Sequence, residues 1–385
     1  MEKVSRNNCS RKICFSTNLN CNLDCIYCYE HKEAKDVLDV DYIKNKLADV
    51  LSQETEKGTL IKLHGGEPFL AFNKLKALCE YIWEQNFPER FMIHMTTNGT
   101  LIHGSVQHWL HKHRDHISLK LSVDGTPAAH NLNRSNSYDK MDIPFFLRTW
   151  PDIEAKMTVS PQSLPFLSEG VIHLHELGFK NISVSFAEMA EWNKDKISIY
   201  LFNEMEKLSD FYLKHPDLPK CTLYKVSFRY IQNTKTLFSP CTIGSKEAFD
   251  FHTGKSYPCH LYFESVCGKN ISDNLCKIDL TQQCNRVDKH CEKCAFLNIC
   301  HTCYVANYIS RGSTNKRDMN HCFINQIRFL CCARYLIRYV LNNKQELEPN
   351  ENDYLLYKDM MAINHISPEL SRLEVLLNTK DPIFA

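Results

Sequence analysis

The chain settles early into a rhythm. Short apolar, β-rich runs end in polar residues or glycine, and between them lie segments whose apolar residues recur at three- and four-residue steps. The runs fall at 12–16, 59–63, 91–95, 117–121, 155–159 and 181–185, and the periodic segments predict helices that include 42–53, 73–84, 164–177 and 195–213. Strand, helix, strand in six repeats predicts an α/β fold with a parallel sheet, open or curved into part of a barrel. From about residue 236 the rhythm fails. Turns and cysteines dominate there, and regular helix is expected again only at 325–342 and 368–377.

Chemistry in such sheets collects at the carboxyl ends of the strands. The distinctive stretches follow that rule. "CNLDCIYC" (21–28) comes after the first run, "HGGEP" (64–68) after the second, "TTNGT" (96–100) after the third, "SVDG" (122–125) after the fourth and "SP" (160–161) after the fifth. All are expected to face one mouth.

Composition narrows the function classes. With 385 residues and 43% hydrophobic content the chain can bury a barrel-sized core and a smaller domain. Lys+Arg 46 against Asp+Glu 45 leaves a net charge of +1, which gives no field for a polyanion and argues against nucleic acid as a partner. No apolar run approaches the roughly 20 residues that span a bilayer, and the first residues lack the apolar core of a signal peptide. No membrane association and a cytoplasmic location are expected.

Nineteen cysteines are then the anomaly, because a reducing compartment keeps thiols from pairing. Metal ligation is the leading explanation. Six lie early, at 9, 14, 21, 25, 28 and 79; only Cys221 falls between 80 and 240; twelve crowd into 241–332. Two metal-bearing regions are expected, and Cys9, Cys14, Cys79, Cys221, Cys331 and Cys332 are read as small core or surface residues.

Cys21, Cys25 and Cys28 are the first of these regions. Four thiolates close a structural zinc site, whereas three leave a position open, as on an iron–sulfur cluster with one exposed iron. No Cys or His follows Cys28 at a finger-like distance except His31, a weak substitute. Gly65 and Gly66 permit close backbone approach to a ligand, Pro68 fixes the following turn, and Glu67 supplies a carboxylate suited to an ammonium group.

On these residues the chain resembles the radical S-adenosylmethionine enzymes. "CNLDCIYC" matches their CxxxCxxC signature with an aromatic residue, Tyr27, before the last cysteine, and "HGGEP" matches the segment that holds the cosubstrate's amino group. "TTNGT", and "SVDG" followed by His130 and Arg134, resemble further motifs of the peptide- and protein-modifying branch. The resemblance implies cosubstrate contacts from Tyr27, Gly65, Gly66, Glu67, Pro68, Asn98, Ser122, Asp124 and Arg134, the last three offering a hydroxyl, an acceptor and a bidentate donor for ribose and carboxylate. Asn131 stands where that branch has aspartate.

The second region resembles the SPASM domain. Cys241 is followed by Gly254 after twelve residues and Cys259 after four more; then come Cys291-x2-Cys294-x5-Cys300-x2-Cys303 and Cys322. The family pattern has three residues, not two, between the cysteines matched by Cys300 and Cys303. It implies one fully ligated 4Fe–4S cluster on Cys291, Cys294, Cys300 and Cys322, and a second on Cys241, Cys259 and Cys303. Glu247 stands where some members have a fourth ligand, so Cys267, Cys276, Cys284 or an open iron is left for that place. Zinc held by Cys291, Cys294, Cys300 and Cys303 is the rival reading.

The expected organisation is therefore an N-terminal tail (1–11), a partial (β/α)6 TIM-like barrel of the radical SAM type (12–235), a cysteine-rich SPASM domain (236–325) and a C-terminal helical segment (326–385). The resemblance implies three 4Fe–4S clusters, S-adenosylmethionine and an electron donor such as flavodoxin or ferredoxin. It also implies a ribosomally made precursor peptide, oxidatively crosslinked by way of a 5′-deoxyadenosyl radical. Sulfatase maturases carry aspartate after the second SPASM cysteine where this chain has His260, a residue readable as a base, a donor to the cluster or a packed side chain. Formylglycine formation is the alternative reaction, and a non-catalytic iron–sulfur electron carrier the alternative class. The barrel is expected to start near residue 12 without a leader-binding domain before it, which leaves leader recognition to the tail from 326 or to a separate protein.

Overall fold

The computed structural model describes residues 4, 8–30, 39–231, 241, 243, 247–250, 252–343, 351–379 and 382–384. His31, weighed above as a fourth ligand, lies outside them. All six expected strands are present within two residues: β1 (Arg11–Ser16), β2 (Thr59–His64), β3 (Phe91–Thr97), β4 (Ile117–Ser122), β5 (Glu154–Val159) and β6 (Asn181–Phe186). Two more follow, β7 (Glu247–Asp250) and β8 (Lys255–Tyr257), and the sheet order is β6-β5-β4-β3-β2-β1-β7-β8. Pairing is parallel from β1 through β5 and between β1 and β7, and antiparallel only between β7 and β8. This is the mostly parallel α/β sheet that the strand–helix alternation predicts.

The helices between these strands are α1 (Val40–Leu51), α2 (Phe72–Glu84), α3 (Ser105–Lys112), α4 (Pro127–Asn133), α5 (Ile143–Thr149), α6 (Leu167–Glu176) and α7 (Lys194–Lys214). Asp39, Thr126, Asp142 and Asn193 cap α1, α4, α5 and α7, each side chain accepting a backbone N–H of the first turn. Beyond residue 236 the expectation of only two helices is corrected. The short α8 (Glu264–Cys267) and α9 (Lys269–Leu275) are followed by α10 (Tyr304–Arg311), α11 (Met319–Asn342), α12 (Glu351–His365) and α13 (Ser367–Leu376). α11 starts six residues before the expected 325 because Asp318 caps it, accepting from Asn320 and His321 N.

The chain forms two compact units. The first comprises Met1–Lys156 and Thr242–Ile278; the second comprises Met157–Cys241 and Asp279–Ala385. In the first, register separates the two faces of the sheet. Ile13, Ile61, Ile93 and Ile117 pair side by side, as do Phe15 with Leu63 and Leu119 with Met95, and all are at most 3% exposed. The alternate positions carry Cys14, Lys62, His94 and Ser118 in one row, then Thr96, Lys120 and Glu154, then Ser122 and Lys156. One face is a hydrocarbon core and the other is polar. β7 extends the apolar face, where Phe249 stacks on Phe15 at 5.1 Å.

In the second unit the core includes Tyr212, Phe228 and Phe329. Buried Glu374 holds Arg334 and also accepts from Ile383 N and Phe384 N, tying the chain end to α13. Cys79, Cys221, Cys331 and Cys332 are buried as expected of small core residues, and no described helix is long and apolar enough to cross a membrane.

Phe15 is 0% exposed at the β1–β7 seam. Phe15→Ala is expected to cost about 3–5 kcal/mol, read as a lower urea midpoint at unchanged slope.

Candidate active site at the strand ends

The loop after β1 carries Cys21, Cys25 and Cys28, and because it has no regular structure its polar groups must find partners elsewhere. They find them on three sides. Towards the end of β2, Thr17 N donates to His64 O (2.6 Å), Gly66 N to Asn18 O (3.0 Å) and Glu67 N to Asn20 O (2.8 Å). Towards the end of β3, Asn98 Nδ2 donates to Asn22 Oδ1 (2.9 Å) and Asn22 Nδ2 to Thr100 Oγ1 (2.8 Å). Towards α4, Ile26 N donates to Asn133 O (3.0 Å) and Asp24 N to Ser135 Oγ (2.9 Å).

Gly65 and Gly66, expected to admit a ligand, admit this loop at close range. A Cβ on Gly66 would stand 2.2 Å from Asn20 O and 3.1 Å from the Cβ of Cys21; one on Gly65 would stand 2.4 Å from Asn18 O. Glu67 is likewise engaged by protein. Its buried carboxylate accepts from Phe69 N (3.2 Å), Thr97 Oγ1 (2.8 Å) and Asn98 N (2.7 Å), and burial pushes its pKa up to about 7 against those donors. It ties the end of β2 to the end of β3 and starts the turn at Pro68.

Asp124 anchors the third side. Its carboxylate, 0% exposed, accepts from Tyr27 Oη (2.6 Å), Asn133 Nδ2 (3.1 Å) and both arms of the Arg134 fork, Nε (2.9 Å) and Nη2 (3.1 Å). The remaining arm of Arg134 reaches Cys25 Sγ at 3.9 Å. Arg134, expected as a bidentate donor to the cosubstrate, therefore spends its fork on Asp124. His130 Nδ1 accepts from Asp124 N (3.2 Å), and Ser137 Oγ gives its proton to Arg134 O (2.6 Å), so the proton on His130 sits on Nε2, facing Ser137. Asn131 Oδ1 accepts from Tyr138 N (2.9 Å), which gives it a turn-holding part.

The donor set of the trio fits a cluster. Cys25 lies within electrostatic reach of Cys21, Cys28 and Arg134, and Cys21 Sγ accepts from Leu23 N (3.5 Å) and Asn98 Nδ2 (3.8 Å). Among the described residues no three His, Cys, Asp or Glu side chains converge tightly enough to hold a single metal ion. Residues 16–141 match the Radical SAM superfamily.

That stretch is similar to a radical SAM domain.

A curated protein of Methanocaldococcus jannaschii, itself uncharacterized, is 28% identical over 170 residues, which are 42% of this chain and 58% of that protein's length. Among solved structures, anSMEcpe with bound AdoMet and Cp18Cys peptide superposes with a TM-score of 0.66 at 18% identity, over 88% of this chain and 100% of that one. SuiB of Streptococcus suis bound to precursor peptide SuiA superposes with a TM-score of 0.55 at 18% identity, over 81% and 76%. At such identities the likeness is one of fold.

The later cysteines divide between the units. In the first, the turn joining β7 to β8 needs Gly254, which has φ +66° and donates to Asp250 O (2.9 Å). This hairpin delivers Cys259 and His260. His260 Nε2 lies 3.2 Å from Tyr29 Oη, and its ring lies 4.3 Å from that of His64, whose Nε2 meets Glu30 Oε1 at 3.0 Å. Nothing in the spacing of Tyr29, Glu30 and His64 had marked them; the one signal was a polar residue closing β2. Cys267, weighed as a fourth ligand, is buried with its thiol on Phe263 O (3.4 Å), while Cys276 and Cys284 are exposed.

In the second unit Cys291, Cys294, Cys300 and Cys322 stand within electrostatic reach of one another and of Arg317. Burial first, then the neighbouring thiolates, push Cys300 up to about 12 and Cys322 up to about 11. Cys241 and Cys303 also belong to this unit; Cys303 Sγ caps α10 by accepting from Ala306 N.

Two outcomes are expected at these strand ends. Asp124→Asn leaves the Arg134 charge buried without its partner; a loss of about 3–5 kcal/mol is expected in chemical denaturation, with less iron retained at the trio after reconstitution. His130 is 0% exposed and its pKa is pushed down to about 4 by burial first and Arg134 second. A depressed folded pKa means that the unfolded chain takes the proton first. This stability is full above the ordinary 6.5 and is lost as pH falls through about 4, with a slope of up to about 1.4 kcal/mol per pH unit. Comparing acid titrations of wild type and His130→Gln checks it; equal slopes contradict the assignment.

Proposed function

We propose that this chain is a peptide-modifying oxidoreductase that holds a 4Fe–4S cluster on Cys21, Cys25 and Cys28. Its reaction is the oxidative crosslinking of residues in a ribosomally made precursor peptide. When bound, the cluster and S-adenosylmethionine supply a 5′-deoxyadenosyl radical able to take a hydrogen atom from an unactivated carbon. The observation that carries the reading is the three-sided clamp on a loop of three thiols, with the Arg134 cation against Cys25.

The chain's own groups divide the remaining work. Asp124, Tyr27 and Arg134 fix the loop and bring one cation to its thiolates. Asn98 and the backbone of Gly65, Gly66, Glu67 and Pro68 shape its rim, and Ser122 offers a hydroxyl from the polar face. The strand-end group of Tyr29, Glu30, His64 and His260 offers a proton acceptor held in orientation by hydrogen bonds, suited to the proton that leaves when a substrate radical is oxidised. Cys291, Cys294, Cys300 and Cys322 would hold an auxiliary cluster, to take the second electron. A flavodoxin or ferredoxin supplies the first electron.

The reading is tested on protein reconstituted anaerobically with iron and sulfide. Dithionite and S-adenosylmethionine should yield 5′-deoxyadenosine, and Cys28→Ala should abolish it; no nucleoside from the wild type points to an electron carrier. With peptides encoded beside the gene, a product lighter by two hydrogens supports crosslinking. An aldehyde formed on a Cys- or Ser-containing sulfatase peptide supports formylglycine formation instead.

A further inference from the structure

The polar face of the sheet carries several positive charges. Lys62 of β2, Lys120 of β4 and Lys156 of β5 all lie on it, and Lys156 feels Lys120, Arg134 and Lys62 as like charges. Lys120 is paired with Glu154. Arg134 is forked by Asp124. The Lys156 side chain makes no hydrogen bond or ion pair among the described residues, and the carboxylate it feels is that of Glu154, two residues before it on β5. The residue keeps some accessible surface while its amine is surrounded by protein, and burial together with the like charges pushes that amine down to about 8.

An amine held in such a place raises the cost of its own charge unless an anion arrives. Its position says where. Lys156 pairs in register with Ser122 at the carboxyl end of β4, and its own carbonyl accepts from Val123 N (3.1 Å), so its backbone is fixed beside the turn that presents Asp124. The one carboxylate it feels, that of Glu154, is already bridged to Lys120.

We propose that Lys156 is the receptor for a ligand carboxylate, a part that the sequence motif gave to Arg134. The inference rests on the radical reading above. Two sources share the chemistry: the methionyl carboxylate of the cosubstrate and an acidic side chain of the peptide. A carboxylate between Lys156 and Ser122 Oγ gains a charge-assisted bond and a neutral one, and Arg134 keeps its place between Asp124 and Cys25. A cosubstrate lacking the carboxylate gains neither.

The test labels lysines of the reconstituted holoenzyme with a water-soluble acetylating ester and follows Lys156 by peptide mass spectrometry. S-adenosylmethionine is expected to slow its acetylation, whereas decarboxylated S-adenosylmethionine, nearly as bulky, is not. In equilibrium binding, Lys156→Met should weaken S-adenosylmethionine by about 10- to 100-fold, leave the decarboxylated compound unchanged, and be partly rescued by Lys156→Arg. Protection that needs triglutamate added to the S-adenosylmethionine-loaded enzyme assigns the carboxylate to the peptide instead. Equal labelling under every condition, or equal weakening of both compounds by Lys156→Met, overturns the proposal. The 5′-deoxyadenosine assay run alongside separates the two failures: nucleoside formed with Lys156 unprotected sinks the lysine assignment alone, and no nucleoside sinks the radical reading.

Discussion

One buried carboxylate organises the site. Asp124 lies at the end of β4 with no contact to water and accepts from Tyr27, Asn133 and two nitrogens of Arg134. An uncompensated carboxylate in that position would be costly, and the arginine makes it tolerable. Through these bonds β4 reaches the thiol loop twice: by Tyr27, which stands between Cys25 and Cys28, and by Arg134, which reaches Cys25. The end of α4 adds two bonds to the same loop through Asn133 O and Ser135 Oγ. Ser135 and Asn136 both adopt positive φ there, a conformation strained for residues with a Cβ and placed where the helix must turn its end towards the loop.

The second constraint is the division of the sheet into faces. Parallel strands buried on both sides read as nearly continuous apolar runs. Here β2, β4 and β5 alternate, with Lys62, Lys120, Glu154 and Lys156 on the face opposite Ile61, Leu121 and Ala155. A fold that only needed a core would fill both faces with hydrocarbon. The retained charges are affordable because solvent or a ligand reaches that side, and their excess of cations over carboxylates sets the sign of what it accepts.

Much of this was legible in the sequence. The six strands were, because each combined β-branched residues with a polar or glycine terminus. The motif positions at strand ends were legible too, since a parallel sheet sends every carboxyl end the same way. What the motifs could not show was which atoms the residues spend on one another. Gly66 reads as permission for a ligand, yet the atom its missing Cβ would strike is Asn20 O; Glu67 and Arg134 read as free donors and acceptors, yet each is bonded to protein. β7 escaped notice because its four residues, EAFD, carry no periodicity beyond chance, and its place beside β1 comes from pairing across more than two hundred residues of chain. α12 escaped because its apolar positions do not form one face.

The two described groups of cysteines solve the same electrostatic problem with different margins. Bringing thiolates together in a half-buried place raises the cost of each, as the upward shifts of Cys25, Cys300 and Cys322 show, and both groups answer with an arginine, which cannot give up its proton. Arg134 shares its charge with Asp124, so the trio faces a nearly neutral pair. Arg317 donates to Asp288 through its backbone N–H, and its guanidinium acts on both that carboxylate and Cys291 without being forked by any described carboxylate. The four-thiol group thus faces a cation with a looser carboxylate partner than the trio does. A closed cluster must be stabilised by the protein alone, whereas an open one is completed by what binds it; a fully charged arginine at the trio would compete with the ligand's ammonium for the same negative charge. The paired arginine leaves that place to the incoming molecule, and the unpaired lysine on the neighbouring strand supplies the complementary charge for its acid.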